Sequence, residues 1–259
     1  MRRVICVLAV LLLALPGAAL ADNDKKFKDV KAGEFDPEKT FLVQGQWLSG
    51  IGCPTAARTA ICDPTDPNCN NTVVGPPFTD PACPTGDPKD KRNEGLLLAK
   101  TGPTPNIAAA VAELKNVKGL VLTELGYDIR KPGPTVDDPR GSHCGAGAPR
   151  FNIQTTTAFY FLGCNSPAPT TQTAGTGFIR LRWTPVLGFN AATGVLEPIV
   201  TPVKSISIIF DEGTDTGPDN FGLAVLDNID VNGVIVGKGE NDDGHDDHGN
   251  GHGHGHDDD

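Results

Sequence analysis

Apolar and polar residues alternate with a period of two in several short stretches of this chain. Because successive side chains of a strand point to opposite faces, this pattern predicts half-buried β-strands. Phe178–Trp183 shows it most clearly, since every second residue from Ile179 is apolar and the two between are arginines. The same alternation occurs in Leu120–Arg130, Ile206–Phe210 and Leu223–Val231.

Other strands are indicated by apolar runs and by turns. Asn232-Gly233 separates two apolar stretches and is a strong hairpin signal. A Thr-rich turn separates Phe151–Ile153 from Ala158–Leu162 in the same way. Ile107–Lys115 leaves helix and strand both open, because its alanines favour a helix and its length fits a strand. Further strands are predicted at Phe41–Trp47 and Leu96–Ala99. Roughly eight or nine strands without a clear helix predict a β-sandwich.

The first residues are typical of a secretory signal peptide, which we place at 1–21. Arg2 and Arg3 precede the apolar stretch Val4–Leu15, which is too short to span a bilayer, and Ala19-Leu20-Ala21 fits a cleavage site. No later run predicts membrane insertion. We therefore expect a secreted protein, extracellular or periplasmic.

Six cysteines follow the signal segment, and an even number in an exported chain indicates disulfides. Many pairings are open, and we favour local ones. The predicted bonds are Cys53–Cys62, Cys69–Cys83 and Cys144–Cys164.

Composition divides the rest of the chain. We expect a charged, loose lead-in at 22–40 and one sandwich domain at 41–239. A Cys- and Pro-rich excursion at 52–92 lies within that domain. Glycine and proline are abundant, with 31 and 22 residues, as expected for many turns and short strands. The tail 240–259 has no apolar side chain, which predicts disorder.

The tail contains eight acidic residues, which supply most of the net charge of −10. The remaining domain has no basic excess, which argues against nucleic acid as a partner. Imidazoles on a polar chain suit Zn²⁺, Ni²⁺ or Cu²⁺. The tail histidines are His245, His248, His252, His254 and His256.

A second candidate metal site is the acidic, turn-rich stretch that begins at Asp211. Carboxylates on one loop suit Ca²⁺. Asn228–Gly233 mimics the start of an EF-hand loop, but the acid required at the twelfth position is replaced by Gly239. We reject an EF-hand. The predicted calcium ligands are Asp211, Asp215, Asp219 and Asp227.

Ligand binding could use aromatic rings and loop-side polar residues. Trp183, Tyr127 and Tyr160 lie in alternating runs, so we expect them in the core. The predicted ligand-binding residues are Arg150, Asn152 and Trp47.

No catalytic constellation is evident. The histidine outside the tail, His143, lies beside Cys144 in a glycine-rich turn and is a poor general base. Carboxylates for glycosidase chemistry are available, although nothing in the sequence pairs them. These are Glu124, Asp128, Asp211 and Glu212.

Two segments resemble known families. His143–Asn152 resembles the CGAGAPRFNV hairpin start of a group of secreted bacterial proteins. Phe210–Asn220, followed by Val225–Ile229, resembles the closing strands of galactose-binding-like jelly rolls, a superfamily that includes carbohydrate-binding modules. The resemblance covers roughly residues 95–239. It implies a jelly-roll sandwich and places Asp227 where such modules often carry a structural calcium ligand.

We therefore expect an all-β jelly-roll sandwich that acts as a non-catalytic binding module for a glycan or another cell-surface ligand. Two alternatives remain open: a transition-metal capture protein, in which the sandwich carries the tail, and a polysaccharide-active enzyme.

Overall fold

The computed structural model describes residues 27–53, 86–101, 108–131, 148–173, 178–211 and 221–241. Every regular element in these ranges is a β-strand. The strands are β1 Asp29–Phe35, β2 Val43–Leu48, β3 Gly95–Thr101, β4 Ala109–Lys115, β5 Leu125–Arg130, β6 Arg150–Thr155, β7 Phe159–Gly163, β8 Thr170–Thr173, β9 Ile179–Trp183, β10 Leu187–Asn190, β11 Leu196–Pro198, β12 Val203–Phe210, β13 Phe221–Val231, β14 Val234–Val236 and β15 Glu240–Asn241.

The strands form two sheets. One has eight strands in the order β11-β10-β7-β6-β12-β4-β1-β15. The other has the order β2-β3-β13-β5-β9-β8, with β14 paired to β13. The chain passes repeatedly from one sheet to the other, as from β3 to β4 and from β5 to β6. Among the described strands, every pair is antiparallel except β1 with β15. The expected jelly-roll sandwich is confirmed.

The core lies between the sheets and is built mainly from alternate residues of the longer strands. At its centre, Tyr127, Phe151 and Trp183 pack with ring centroids 5.3 to 5.9 Å apart. The Tyr127 hydroxyl donates a hydrogen bond of 2.9 Å to the carbonyl of Pro149. The core positions expected for Tyr127, Tyr160 and Trp183 are confirmed.

The expectation of a loose lead-in is wrong for its second half. β1 lies between β4 and β15, because Phe27, Val30 and Ala32 are buried in the core. The charged residues between them hide the alternation. At the other end, β15 pairs with β1, so regular structure continues past residue 239 to Asn241.

Two strand predictions need correction. Leu120–Arg130 forms a strand only from Leu125, and Val121 is exposed in the preceding loop. In β13, Val225 and Ile229 do not share a face, because the register shifts between Asp227 and Asp230. Asn228 takes a positive φ of 47° at this bulge. Val225 consequently packs outside the sandwich, while Ile229 lies in the main core.

Three other expectations are resolved. Ile107–Lys115, whose pattern is compatible with a helix or a strand, contains β4. The hairpin of β6 with β7 and that of β13 with β14 are confirmed. The pattern does not predict β8, β10 and β11, since they are short.

Candidate binding face

The two sheets differ in how their outer faces are covered. On the seven-stranded sheet, Cys53, Phe178 and Val225 form a second apolar cluster, against which Ile51 and Leu97 pack. The outer face of the eight-stranded sheet instead presents exposed or half-buried side chains from β7 to β1. We call this surface the open face and treat it as the candidate site.

Strand register aligns the residues of the open face in two rows that cross the strands. Cross-strand neighbours on one face of a sheet contact each other directly. The first row, which we call the polar row, runs Phe161, Asn152, Ser207, Glu113 and Lys31. The second, the floor row, runs Arg150, Ile209, Val111 and Gly33.

Arg150 lies on the open face and contacts three neighbouring residues. Its guanidinium donates hydrogen bonds of 2.6 and 2.8 Å to the two carboxylate oxygens of Asp211. Its Nε donates to Asn152 Oδ1 at 3.2 Å, and it lies 5.7 Å from the centre of the Phe161 ring. The structure therefore brings two of the three predicted ligand-binding residues together, beside an aromatic ring.

A groove of about 370 Å³ occupies the β1 side of the open face. Its floor contains Ile209, Val111 and Gly33. This size lies within the range of ligand sites in proteins. The groove is lined by Lys31, Ala32, Gly33, Glu34, Phe35, Val111, Glu113 and Ile209.

The prediction that Trp47 contacts ligand is wrong. Its side chain is only 5% exposed, and its indole Nε1 donates a 3.1 Å hydrogen bond to the carbonyl of Val30. The sequence places Trp47 near a strand end, but β1 and β15 cover it. The Asn241 side chain also bonds both the N–H and the carbonyl of Trp47.

Two of the predicted calcium ligands, Asp211 and Asp227, are positioned by different sheets. Asp211 follows β12 in the eight-stranded sheet, and both of its oxygens bond Arg150. Asp227 lies in the seven-stranded sheet, where its carboxylate accepts the backbone N–H groups of Cys53 and Asn228. Burial raises the pKa of Asp227 well above its usual value. In the part of the chain that the structure describes, no three His, Cys, Asp or Glu side chains are arranged for a metal.

A network of buried ions lies on the outer side of the seven-stranded sheet. Arg180 forms two hydrogen bonds, of 2.7 and 2.8 Å, with the fully buried Asp128. Arg182 lies 3.5 Å from Asp128 and 3.1 Å from Asp230. Asn228 donates a further bond to Asp128 at 2.9 Å. These groups satisfy one another's hydrogen bonds and charges within the seven-stranded sheet.

Several predictions lie outside the described residues. Cys53 and Cys164 are each disulfide-bonded, but their partners are not described, so the three pairings stay predictions. Within the described ranges, no helix is long and apolar enough to cross a membrane. The remaining predictions outside these ranges concern the signal segment 1–21, His143, Glu212, Asp215, Asp219 and the tail histidines.

Most of the open face is not recognisable from the sequence pattern. Lys31 and Gly33 lie in the predicted lead-in, and Phe161 lies in a predicted hairpin. Ser207 and Glu113 lie at polar positions of their strands and are not singled out. Alternation marks them as outward-facing, but only the strand order shows that they are neighbours.

No protein-family model and no curated protein matches this chain. Among solved structures, it is similar to a family 11 carbohydrate-binding module from Clostridium thermocellum in complex with a β-1,3-1,4-mixed-linked tetrasaccharide. That comparison has a TM-score of 0.34 and 11% identity, and covers 85% of this chain and 95% of that chain. The family 11 module of a cellulosomal cellulase of the same organism gives the same TM-score and identity, with 88% and 98% covered.

Proposed function

We propose that this protein is an exported, non-catalytic carbohydrate-binding module that holds a neutral polysaccharide on the open face. One observation carries the proposal: the polar row lies directly beside Ile209, Val111 and Gly33, the apolar part of the floor row. A sugar ring needs both surfaces, because its hydroxyl groups exchange hydrogen bonds and its C–H face packs on apolar groups.

The charges of the open face favour an uncharged glycan. Lys31 stands near Glu34 and Glu113 at the groove, while Arg150 is matched by Asp211. An acidic polysaccharide would meet these carboxylates, and like charges repel. The groove therefore offers hydrogen bonds, and its one cation against two carboxylates disfavours an anionic ligand.

Binding to soluble polysaccharides tests this proposal. The full chain would be run in native gels that contain mixed-linked β-glucan, xylan, galactomannan or polygalacturonate, with added calcium and then with chelator. We expect retardation by one class of neutral glycan and none by polygalacturonate. Unchanged mobility in every neutral glycan would overturn the proposal, and a loss of binding with chelator would locate a calcium requirement.

Metal capture by the tail is the second candidate, and the position of β15 favours it. Glu240 and Asn241 pair with Lys31 and Ala32 of β1, so the His-rich segment begins at a fixed point on the sheet edge. The sandwich would then serve as a folded anchor for imidazole ligands. Calorimetric titration with Zn²⁺ alone tests this, and the absence of saturable binding at neutral pH would exclude it.

A further inference from the structure

The loop between β1 and β2 exposes an aromatic side chain. Phe41 is 87% exposed, which is the highest value among the large apolar side chains of the described residues. Its backbone takes a positive φ of 56°. Bulky residues rarely adopt this conformation, which is otherwise supplied by glycine or asparagine. The position therefore combines backbone strain with an unburied ring.

Asp36 holds this loop in place. Its carboxylate accepts the Phe41 N–H at 2.7 Å and the Thr40 hydroxyl at 3.0 Å, and its carbonyl accepts the Lys39 N–H at 3.0 Å. Hydrogen bonds from Thr40 and Phe41 lower the pKa of Asp36. These contacts fix the backbone of the loop at Phe41.

The loop adjoins the groove of the open face. Phe35, the residue before Asp36, is 51% exposed and lines the groove. The Asp36 carboxylate bonds the Phe41 N–H directly, and Phe35 is the residue before Asp36. The backbone positions of the two phenylalanines are therefore close to each other. Residues held in strained backbone conformations cluster at ligand-binding and active sites.

We propose that Phe41 stacks on a sugar ring of the bound glycan, beyond the Phe35 end of the groove, and that Asp36 positions it. This inference rests on the proposed function and adds a binding subsite to it. The ring offers a flat apolar face to the C–H side of the sugar, and the fixed loop reduces the entropy lost on binding.

Phe41→Ala and Phe41→Trp test the inference in the full chain. With the glycan that retards the wild type, we expect Phe41→Ala to weaken binding about tenfold, the usual scale for one aromatic contact. Val200→Ala removes another exposed apolar side chain, at 71%, and is expected to bind like the wild type. In Phe41→Trp, the emission of the introduced indole should shift to shorter wavelength when glycan is added.

The outcomes separate this inference from the proposed function. If wild-type protein binds and Arg150→Ala weakens binding, but Phe41→Ala binds normally and Phe41→Trp emission is unchanged, the subsite is overturned and the module stands. If the wild type binds no neutral glycan, both fail. Asp36→Ala should also abolish the emission shift of Phe41→Trp, and Asp36→Asn, which keeps one acceptor oxygen, should restore part of it. An unchanged shift in Asp36→Ala would overturn the positioning role.

Discussion

Arg150 and Asp211 face each other across the end of the open face, with two parallel hydrogen bonds of 2.6 and 2.8 Å. The pair is partly exposed, at 22% and 38% of the side chains. Arg150 thus presents a fixed guanidinium edge beside Asn152 and Phe161. This arrangement suits a planar donor for sugar hydroxyl groups.

Arg150→Ala should weaken glycan binding at least about tenfold, while the free energy of unfolding falls by no more than about 1 kcal/mol, since exposed ion pairs contribute little. Native gel retardation and urea unfolding measure the two effects. Arg92→Ala is the matched control, because Arg92 is paired with Glu94 and lies away from the open face. Equal binding by both variants would remove Arg150 from the site.

Arg180→Ala should destabilise the fold strongly. It would leave the carboxylate of Asp128, which is fully buried, without its two main hydrogen bonds. Breaking a buried pair in this way costs about 3–5 kcal/mol. Urea unfolding measures the free energy of unfolding of Arg180→Ala and of Arg92→Ala. A similar small decrease in both variants would contradict the structural role of the buried network.

Stability should depend on the ionisation of Asp230. Burial raises its pKa from 3.8 to about 6, and Glu124 adds to the shift, while Arg182 opposes it. Because the folded state holds this proton more tightly, the contribution to stability is fully present below about pH 4 and is lost as the pH rises through about 6. Asp128 and Asp227 also have raised pKa values, so they act in the same direction.

The measurement is urea unfolding at several pH values between about 4 and about 6. We expect the Asp230 contribution to fall by about 2 kcal/mol over this interval. Asp230→Asn should flatten the pH dependence, since an amide does not titrate there. An identical slope in wild type and variant would show that Asp230 does not control it.

Two truncations should separate the tail from the sandwich. A chain that ends at Asn241 keeps β15 and should unfold like the full chain, but we expect it to lose Zn²⁺ binding. A chain that ends at Lys238 loses the β15 pairing and both Asn241 bonds to Trp47, and should be less stable by about 1–3 kcal/mol. Equal unfolding of the two chains would mean that β15 adds no stability.

Local pattern determined the fold class and several elements of this protein. Alternation predicts β9 and β12, and Asn232-Gly233 predicts the hairpin of β13 with β14. These features are predictable because side-chain direction and turn conformation depend on neighbouring residues. Arg150 and Asn152 are predicted from the sequence as ligand-binding residues, and the two do lie together. Asp211, which bonds Arg150, is predicted from its acidic loop as a calcium ligand.

Tertiary structure decided the remainder. Lys31 and Glu113 became cross-strand neighbours through the pairing of β1 with β4, whereas β15 and the indole bond to Val30 buried Trp47. The bulge at Asn228 places Val225 and Ile229 on opposite faces of β13, although both belong to one alternating apolar pattern in the sequence. The sequence by itself determined which residues alternate. Only the packing of distant strands decided which of them meet, because register and sheet order depend on contacts between residues far apart in the chain.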